Sequence, residues 1–114
     1  MTRSPQESYA AHFDALASGD IEQLLAGYSD DAAIITDQGV LEAHSGIEAF
    51  YTNALQALPE PRFAVTSAVY WDDAALVHWT AQSLAGRVDD GVDTFVFRDG
   101  NIRLHTIHFT LLPA

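Results

Sequence analysis

Cysteine is absent from the 114 residues, which excludes disulfides, thiolate nucleophiles and thiolate metal sites together. Basic residues are scarce, five against 16 acidic ones, and the resulting formal net charge of -11 argues against binding to nucleic acid or to an anionic membrane. A small neutral or weakly charged ligand fits that balance better. No apolar run is long enough to span a bilayer, and the N-terminal MTRSPQESYA lacks the apolar core of a signal peptide, so the expected location is the cytoplasm. Also missing are internal repeats, low-complexity tracts, linkers and any close metal-binding spacing such as H-x-x-x-H. Neither a metal nor another cofactor is therefore expected.

What is present is a chain that is 48% hydrophobic, with two Trp, four Tyr and six Phe. That is enough to bury a core, and the length suits one domain over residues 1–114. Ser4-Pro5-Gln6-Glu7 is a capping box with proline at the first helical position; Tyr9, His12, Phe13 and Leu16 follow at helical spacing. Ser18-Gly19 ends this helix, and Asp20 with Gln23 caps a short second one carrying Leu24, Leu25 and Tyr28. Ala32 to Thr36 and Val40 to His44 read as strands around Asp37-Gln38-Gly39. Ser45-Gly46-Ile47-Glu48 is a second capping box, opening a helix whose inner face is Ile47, Phe50, Tyr51, Ala54, Leu55 and Leu58.

After Pro59-Glu60-Pro61 every segment is strand-like. Arg62 to Trp71 and Ala74 to Ala85 form a hairpin through Asp72-Asp73, and Val92 to Leu111 forms a longer one. Helices first and antiparallel strands second indicate an α+β domain, a curved sheet covered on its concave side by three N-terminal helices. The register of the long hairpin decides which residues face that concavity. A two-residue turn at Asp99-Gly100 would put Asp93 with Thr106 and His108. A three-residue loop, Arg98-Asp99-Gly100, would put Asp93, Phe95 and Phe97 with His105, Ile107 and Phe109. The second is preferred, because it gathers three aromatic rings and Ile107 around one carboxyl and one imidazole.

Ala15-Leu16-Ala17-Ser18-Gly19-Asp20, Tyr28-Ser29-Asp30-Asp31-Ala32, Ser45-Gly46 and Phe95-Val96-Phe97-Arg98-Asp99-Gly100-Asn101-Ile102, in this order, resemble the nuclear transport factor 2-like superfamily. The likeness covers essentially the whole chain and points to SnoaL-like and ketosteroid isomerase-like proteins, with their cone-shaped, cystatin-like α+β roll. Within that superfamily the pattern is nearest to ketosteroid isomerase. The resemblance implies that Asp93 stands where that enzyme keeps a protonated acid, that His12 replaces its oxyanion-binding tyrosine, and that Tyr28 and Tyr51 back His12. The general-base aspartate is replaced by Thr36, which argues against steroid isomerisation by the family mechanism.

The same alignment of faces assigns His78, Thr80 and Gln82 to the concave side. The expected catalytic set is Asp93, His12, His105 and His78, with Tyr9, Phe13, Tyr28, Thr36, Phe50, Tyr51, Thr80, Gln82, Phe95, Phe97, Ile107 and Phe109 contacting substrate. His44 and His108 are expected outside the pocket, and Trp71, Trp79 and Tyr70 are read as core or interface aromatics. The implied function is a small acid/base enzyme, an isomerase, lyase or cyclase, acting on an apolar oxygenated molecule. A non-catalytic binding or dimerisation module of the same fold is the alternative; an epoxide hydrolase would need two carboxylates and an arginine around one water. Val77, Trp79, Ala81, Val92 and Val96 are assigned to the convex face, which would pair with a second copy in a homodimer.

Overall fold

A computed structural model describes residues 2–114. Helix α1 spans Pro5–Ser18 and α2 spans Ile21–Ala26; strands β1 (Tyr28–Thr36) and β2 (Gly39–Glu42) precede α3 (Ala43–Ala57). Then come β3 (Arg62–Trp71), β4 (Ala74–Gln82), β5 (Gly86–Arg98), β6 (Asn101–His108) and the short β7 (Leu112–Pro113). The main sheet runs β2-β1-β6-β5-β4-β3, with β7 paired to β5. It is a curved, open sheet with helices on one face, the α+β architecture that the element order implies. All neighbouring pairs are antiparallel except β1 and β6, which run parallel.

Local chemistry accounts for the helix starts. The Ser4 hydroxyl accepts from the Glu7 amide while the Glu7 carboxylate accepts from the Ser4 amide, and these bonds hold the Glu7 carboxyl below its usual range. Gly19 closes α1 in a left-handed conformation, φ 72°, and the Asp20 side chain caps α2 through the Gln23 amide. Buried Ser8 ties α1 to the tip of the long hairpin, donating to the Gly100 carbonyl at 2.7 Å. The third helix departs from expectation. It begins at Ala43, two residues before Ser45, after Glu42 makes no side-chain cap. Its Gly46 passes close to the Leu41 backbone, where an added Cβ would lie 3.2 Å from the carbonyl carbon.

The long hairpin resolves its two registers in an unforeseen way. Arg98 pairs with Asn101, and Asp99 and Gly100 both have positive φ, 54° and 80°, so the turn is the two-residue kind that was set aside. One step further, a bulge intervenes: Phe97 opposes Ile102 but Val96 opposes Leu104, leaving Arg103 as the extra residue. That single residue restores the faces the other register required. Phe95 opposes His105 and Asp93 opposes Ile107, so Asp93, Phe95, Phe97, His105 and Ile107 share the concave side.

On β4 the expected faces are reversed. Val77, Trp79 and Ala81 are buried and Val77 opposes Asp93, so these three look inward. His78, Thr80 and Gln82 therefore leave the site and stand on the convex side. Their apolar partners bury more area there than an imidazole, a hydroxyl and an amide could without losing hydrogen bonds to water.

Two apolar clusters occupy the interior. The inner one includes Tyr28, Ile34, Ile47, Tyr51, Val77, Phe95, Phe97 and Ile102; the outer one is Leu58, Trp79, Ala81 and Val88 with Phe63 and Phe109 against it. Ile107 packs on both.

Candidate active site

Between the helices and the concave sheet face lies a chamber of about 50 Å³. Helix α1 supplies Tyr9, His12, Phe13 and Leu16; α3 supplies Phe50, Tyr51, Ala54 and Leu55; the sheet supplies Phe63, Trp79, Asp93, His105 and Ile107, and Leu58 and Phe109 complete the wall. A groove of about 530 Å³, lined by residues 36–41 and by Ala49, Asn53, Ala57 and Leu111, opens beside it. Phe50, Ala54, Leu58, Ile107 and Phe109 border both. Small-molecule pockets run to roughly 300–1,000 Å³. The groove therefore has room for the body of a ligand and the chamber for its polar groups.

At the chamber's inner wall four side chains form one buried line. The Tyr51 and Tyr28 hydroxyls are 2.7 Å apart, the Tyr28 hydroxyl lies 2.9 Å from His105 Nδ1, and His105 Nε2 faces Asp93 Oδ1 at 3.3 Å. This last approach is off the hydrogen-bond axis, so both atoms count as buried without a partner. His105 is held flat against Phe95, ring centroids 4.3 Å apart and planes inclined by 20°. Tyr28 and Tyr51 thus do the backing that the resemblance assigned to them, but for His105 and not for His12. Burial, and secondarily the Asp93 charge, keep the hydroxyls of Tyr9 and Tyr51 protonated well beyond the ordinary tyrosine range; Tyr28 is raised by burial and then by Tyr51.

His12 sits edge-on to Phe95, Tyr28 and His105, with ring centroids 5.3, 5.9 and 6.1 Å away, and its Nδ1 is buried without a partner. Burial, reinforced by His105, lowers its pKa from the ordinary 6.5 to about 3. It is a neutral imidazole at any physiological pH. Such a group exchanges hydrogen bonds with a ligand without carrying a buried charge.

The remaining expected residues divide clearly. Tyr9, Phe13, Phe50, Tyr51, Ile107 and Phe109 line the chamber. Tyr28, Phe95 and Phe97 are buried behind its wall. Thr36 belongs to the groove, where its hydroxyl donates to the Gly39 carbonyl and accepts from the Gln38 amide, closing the β1–β2 turn. His44 bonds the Tyr28 carbonyl and His108 pairs with Asp37 at 2.6 Å, both outside the chamber as expected.

Six chamber residues lie outside the expected site set: Leu16, Ala54, Leu55 and Leu58, expected only as helix inner-face residues, Phe63, to which no role is assigned, and Trp79, expected on the opposite face. The Trp79 signal was Gly91, a glycine inside a strand. A Cβ on Gly91 would lie 2.3 Å from the indole carbons Cδ2 and Cε2, so only glycine leaves room for that ring. Among the described residues no group of three or more His, Asp or Glu side chains is arranged to hold a metal ion, and no helix is long and apolar enough to cross a membrane.

Residues 9–105 match the SnoaL-like domain. The chain belongs to the SnoaL-like domain family. Its fold is shared with IdmH of Streptomyces antibioticus, described as a proposed polyketide cyclase, at TM-score 0.81 and 17% identity over 94% of this chain and 92% of that one. TerC, crystallised with polyporic acid, aligns at TM-score 0.80 and 21% identity over 93% and 91%. An NTF-2 like protein of unknown function from Burkholderia xenovorans LB400 aligns at TM-score 0.78 and 20% identity, over 93% of this chain and 82% of its own. No curated protein matches the sequence. At these identities the neighbours establish the SnoaL-like fold, and chemistry has to be argued from the site.

Proposed function

We propose that the protein is a small acid/base catalyst of the isomerase or cyclase kind, acting on an apolar, oxygenated molecule whose reacting end enters the chamber. The observation that carries this reading is the buried line Tyr51–Tyr28–His105–Asp93, whose last member is a carboxyl on the chamber wall. Its hydrogen atoms can be arranged in two consistent ways. With Asp93 ionised, His105 Nε2–H faces the carboxylate, Nδ1 accepts from Tyr28, and Tyr28 accepts from Tyr51. With Asp93 protonated, the acid faces a bare Nε2, Nδ1–H donates to Tyr28, and Tyr28 donates to Tyr51. The two differ by one proton, on Asp93, and neither creates a buried imidazolium. A carboxyl so supported takes a proton from a carbon next to a carbonyl and returns it elsewhere on the molecule. Neutral His12 and Tyr9 stand beside it as hydrogen-bonding groups for the substrate oxygen.

TerC's complex with polyporic acid supports an apolar, oxygenated ligand. Epoxide hydrolysis is disfavoured, since among the described residues Asp93 is the one carboxyl lining the chamber and no arginine lines it. The test is deuterium exchange next to the carbonyl of β-tetralone, followed by proton NMR. Wild type should exceed buffer catalysis, and Asp93→Asn should lose about 10²–10⁴-fold of the excess. Saturable binding with no exchange above buffer would identify a binding module instead.

The convex face supports a second copy of the chain as partner. Val69, Trp71 and Leu76 are 61, 81 and 43% exposed there, beside Val92, Val96 and Leu104. The outward positions of central β4 and β5, residues 76, 78, 80, 92, 94 and 96, carry no carboxylate although the chain has 16. Two molecules of charge -11 can meet on this face without opposing like charges. Light scattering should give a dimer for wild type and a folded monomer for Trp71→Glu; a wild-type monomer at micromolar concentration removes the idea.

A further inference from the structure

The polar atoms left without partners around the chamber are not all at its inner wall. His12 Nδ1, Asp93 Oδ1 and His105 Nε2 gather there, but the fourth, Trp79 Nε1, belongs to the outer cluster. Trp79 opposes Gly91 and Val77 opposes Asp93, so Trp79 and Asp93 are diagonal neighbours on adjacent strands, a relation that separates backbones by roughly 7–8 Å. Between these ends the wall is apolar: Phe50, Ala54, Leu55, Leu58 and Ile107. An indole could fill this place with its N–H turned to water or to a carbonyl. Here it is 9% exposed, its ring lies over Gly91, and its N–H meets no acceptor.

We infer that Trp79 is a second anchor in the ligand site, its indole N–H donating to an oxygen on the part of the ligand remote from Asp93. This rests on the chamber being the ligand site. It narrows the ligand to molecules with two oxygen functions separated by an apolar body: one for the His12–Asp93–His105 end and one acceptor, a carbonyl, ether or hydroxyl, for the indole. The site then discriminates by leaving a buried donor unpaired whenever the second oxygen is missing. Trp79 is a specificity-determining residue, and the Phe63 and Phe109 rings at 6.0 and 5.7 Å fix the plane in which its donor acts.

The experiment uses the full chain with β-tetralone and two derivatives of equal shape, carrying a methoxy or an ethyl group at the far side of the aromatic ring. Calorimetry on wild type should show the methoxy compound binding about tenfold more tightly than the ethyl compound, the weight of one buried hydrogen bond. Trp79→Phe keeps the aromatic filling, removes the donor, and should bind the two equally. Independently of any variant, the Trp79 indole N–H proton resonance of wild type should move downfield with the methoxy compound and not with the ethyl one. Equal wild-type affinities, an unmoved indole resonance, or a preference that survives in Trp79→Phe each overturn the anchor while leaving the Asp93 site standing. Absence of wild-type binding by all three compounds, β-tetralone included, overturns the chamber as a ligand site and the anchor with it. A merely structural N–H, resting on the Phe63 ring, would show as a lower melting temperature in Trp79→Phe with unchanged selectivity.

Discussion

The inner end of the chamber draws on β1, β5 and β6 and the outer end on β3, β4 and β5, and the two solve opposite problems. At the inner end, polar groups are buried in number and made tolerable by linking them: Tyr51, Tyr28 and His105 each find a partner within 3 Å, and the line stops at Asp93. At the outer end burial is nearly all apolar, with Leu58, Trp79, Ala81 and Val88 packed under Phe63 and Phe109. The difference teaches where each end is vulnerable. The inner end fails through protonation or loss of a hydrogen-bond partner, which leaves a buried polar group alone. The outer end fails through volume, since close-packed rings have no slack.

Acid should open the widest gap between the two. Below pH 6.5 the unfolded chain takes up a proton on His12 that the folded chain refuses until about pH 3. Stability therefore falls as the pH drops across that window, at about 1.4 kcal/mol per pH unit, and reaches several kcal/mol at its lower edge. His12→Phe removes this proton from the balance. Urea unfolding at a series of pH values should show the slope reduced by one proton in His12→Phe and unchanged in any outer-end variant. Identical slopes in wild type and His12→Phe would show that His12 is protonated in the folded protein.

Volume is the matching stress on the outer end. Gly91→Ala puts a methyl carbon into the Trp79 indole and should destabilise by about 1–3 kcal/mol, as overpacking does. The ring must tilt, so indole fluorescence should change while the pH slope due to His12 stays as in wild type. A Gly91→Ala protein with unaltered stability and emission would mean that the indole has room it does not have in this structure.

How much of this was legible in advance differs strand by strand. The helix starts carried their own chemistry in Ser4, Glu7 and Asp20, and the faces of β5 were plain from Asp93, Phe95 and Phe97 alternating with Val92, Thr94 and Val96. The β5–β6 pairing came out on the expected faces by another route, because a bulge at Arg103 compensates for a shorter turn. Nothing local to Arg103 announces a bulge; it is imposed by the two faces that must match. The β4 strand was misread although its pattern is clean. Val77, Trp79 and Ala81 alternate with His78, Thr80 and Gln82, and apolar residues inside is the ordinary reading. The alignment of faces that assigned His78, Thr80 and Gln82 inward runs against that ordinary reading, and the pairing of Val77 with Asp93 restores it. Tyr28 and Tyr51 are linked to each other and to His105, a partner that depends on where His105 lies across the sheet, which only tertiary packing decides.

The smallest effects distinguish positions within the inner line itself. Tyr28 sits between two partners, so Tyr28→Phe deprives both Tyr51 and His105 Nδ1 of a hydrogen bond and should lower stability by about 1–3 kcal/mol. Tyr51 is the end of the line. Its removal should lower stability by about 0.5–1.5 kcal/mol, and unequally for the two hydrogen arrangements. When Tyr28 donates to His105 it loses only an acceptor contact; when His105 Nδ1–H donates to Tyr28, the Tyr28 proton is left facing the gap. Tyr51→Phe therefore favours the arrangement in which Nδ1 accepts and Nε2 carries the proton toward Asp93. NMR of the His105 ring nitrogens should show the Nε2–H tautomer enriched in Tyr51→Phe relative to wild type, by about tenfold for a difference near 1.4 kcal/mol. An unchanged tautomer ratio would mean that the two tyrosines are a structural pair whose hydrogen bonds do not report to His105, and the line would end at Tyr28.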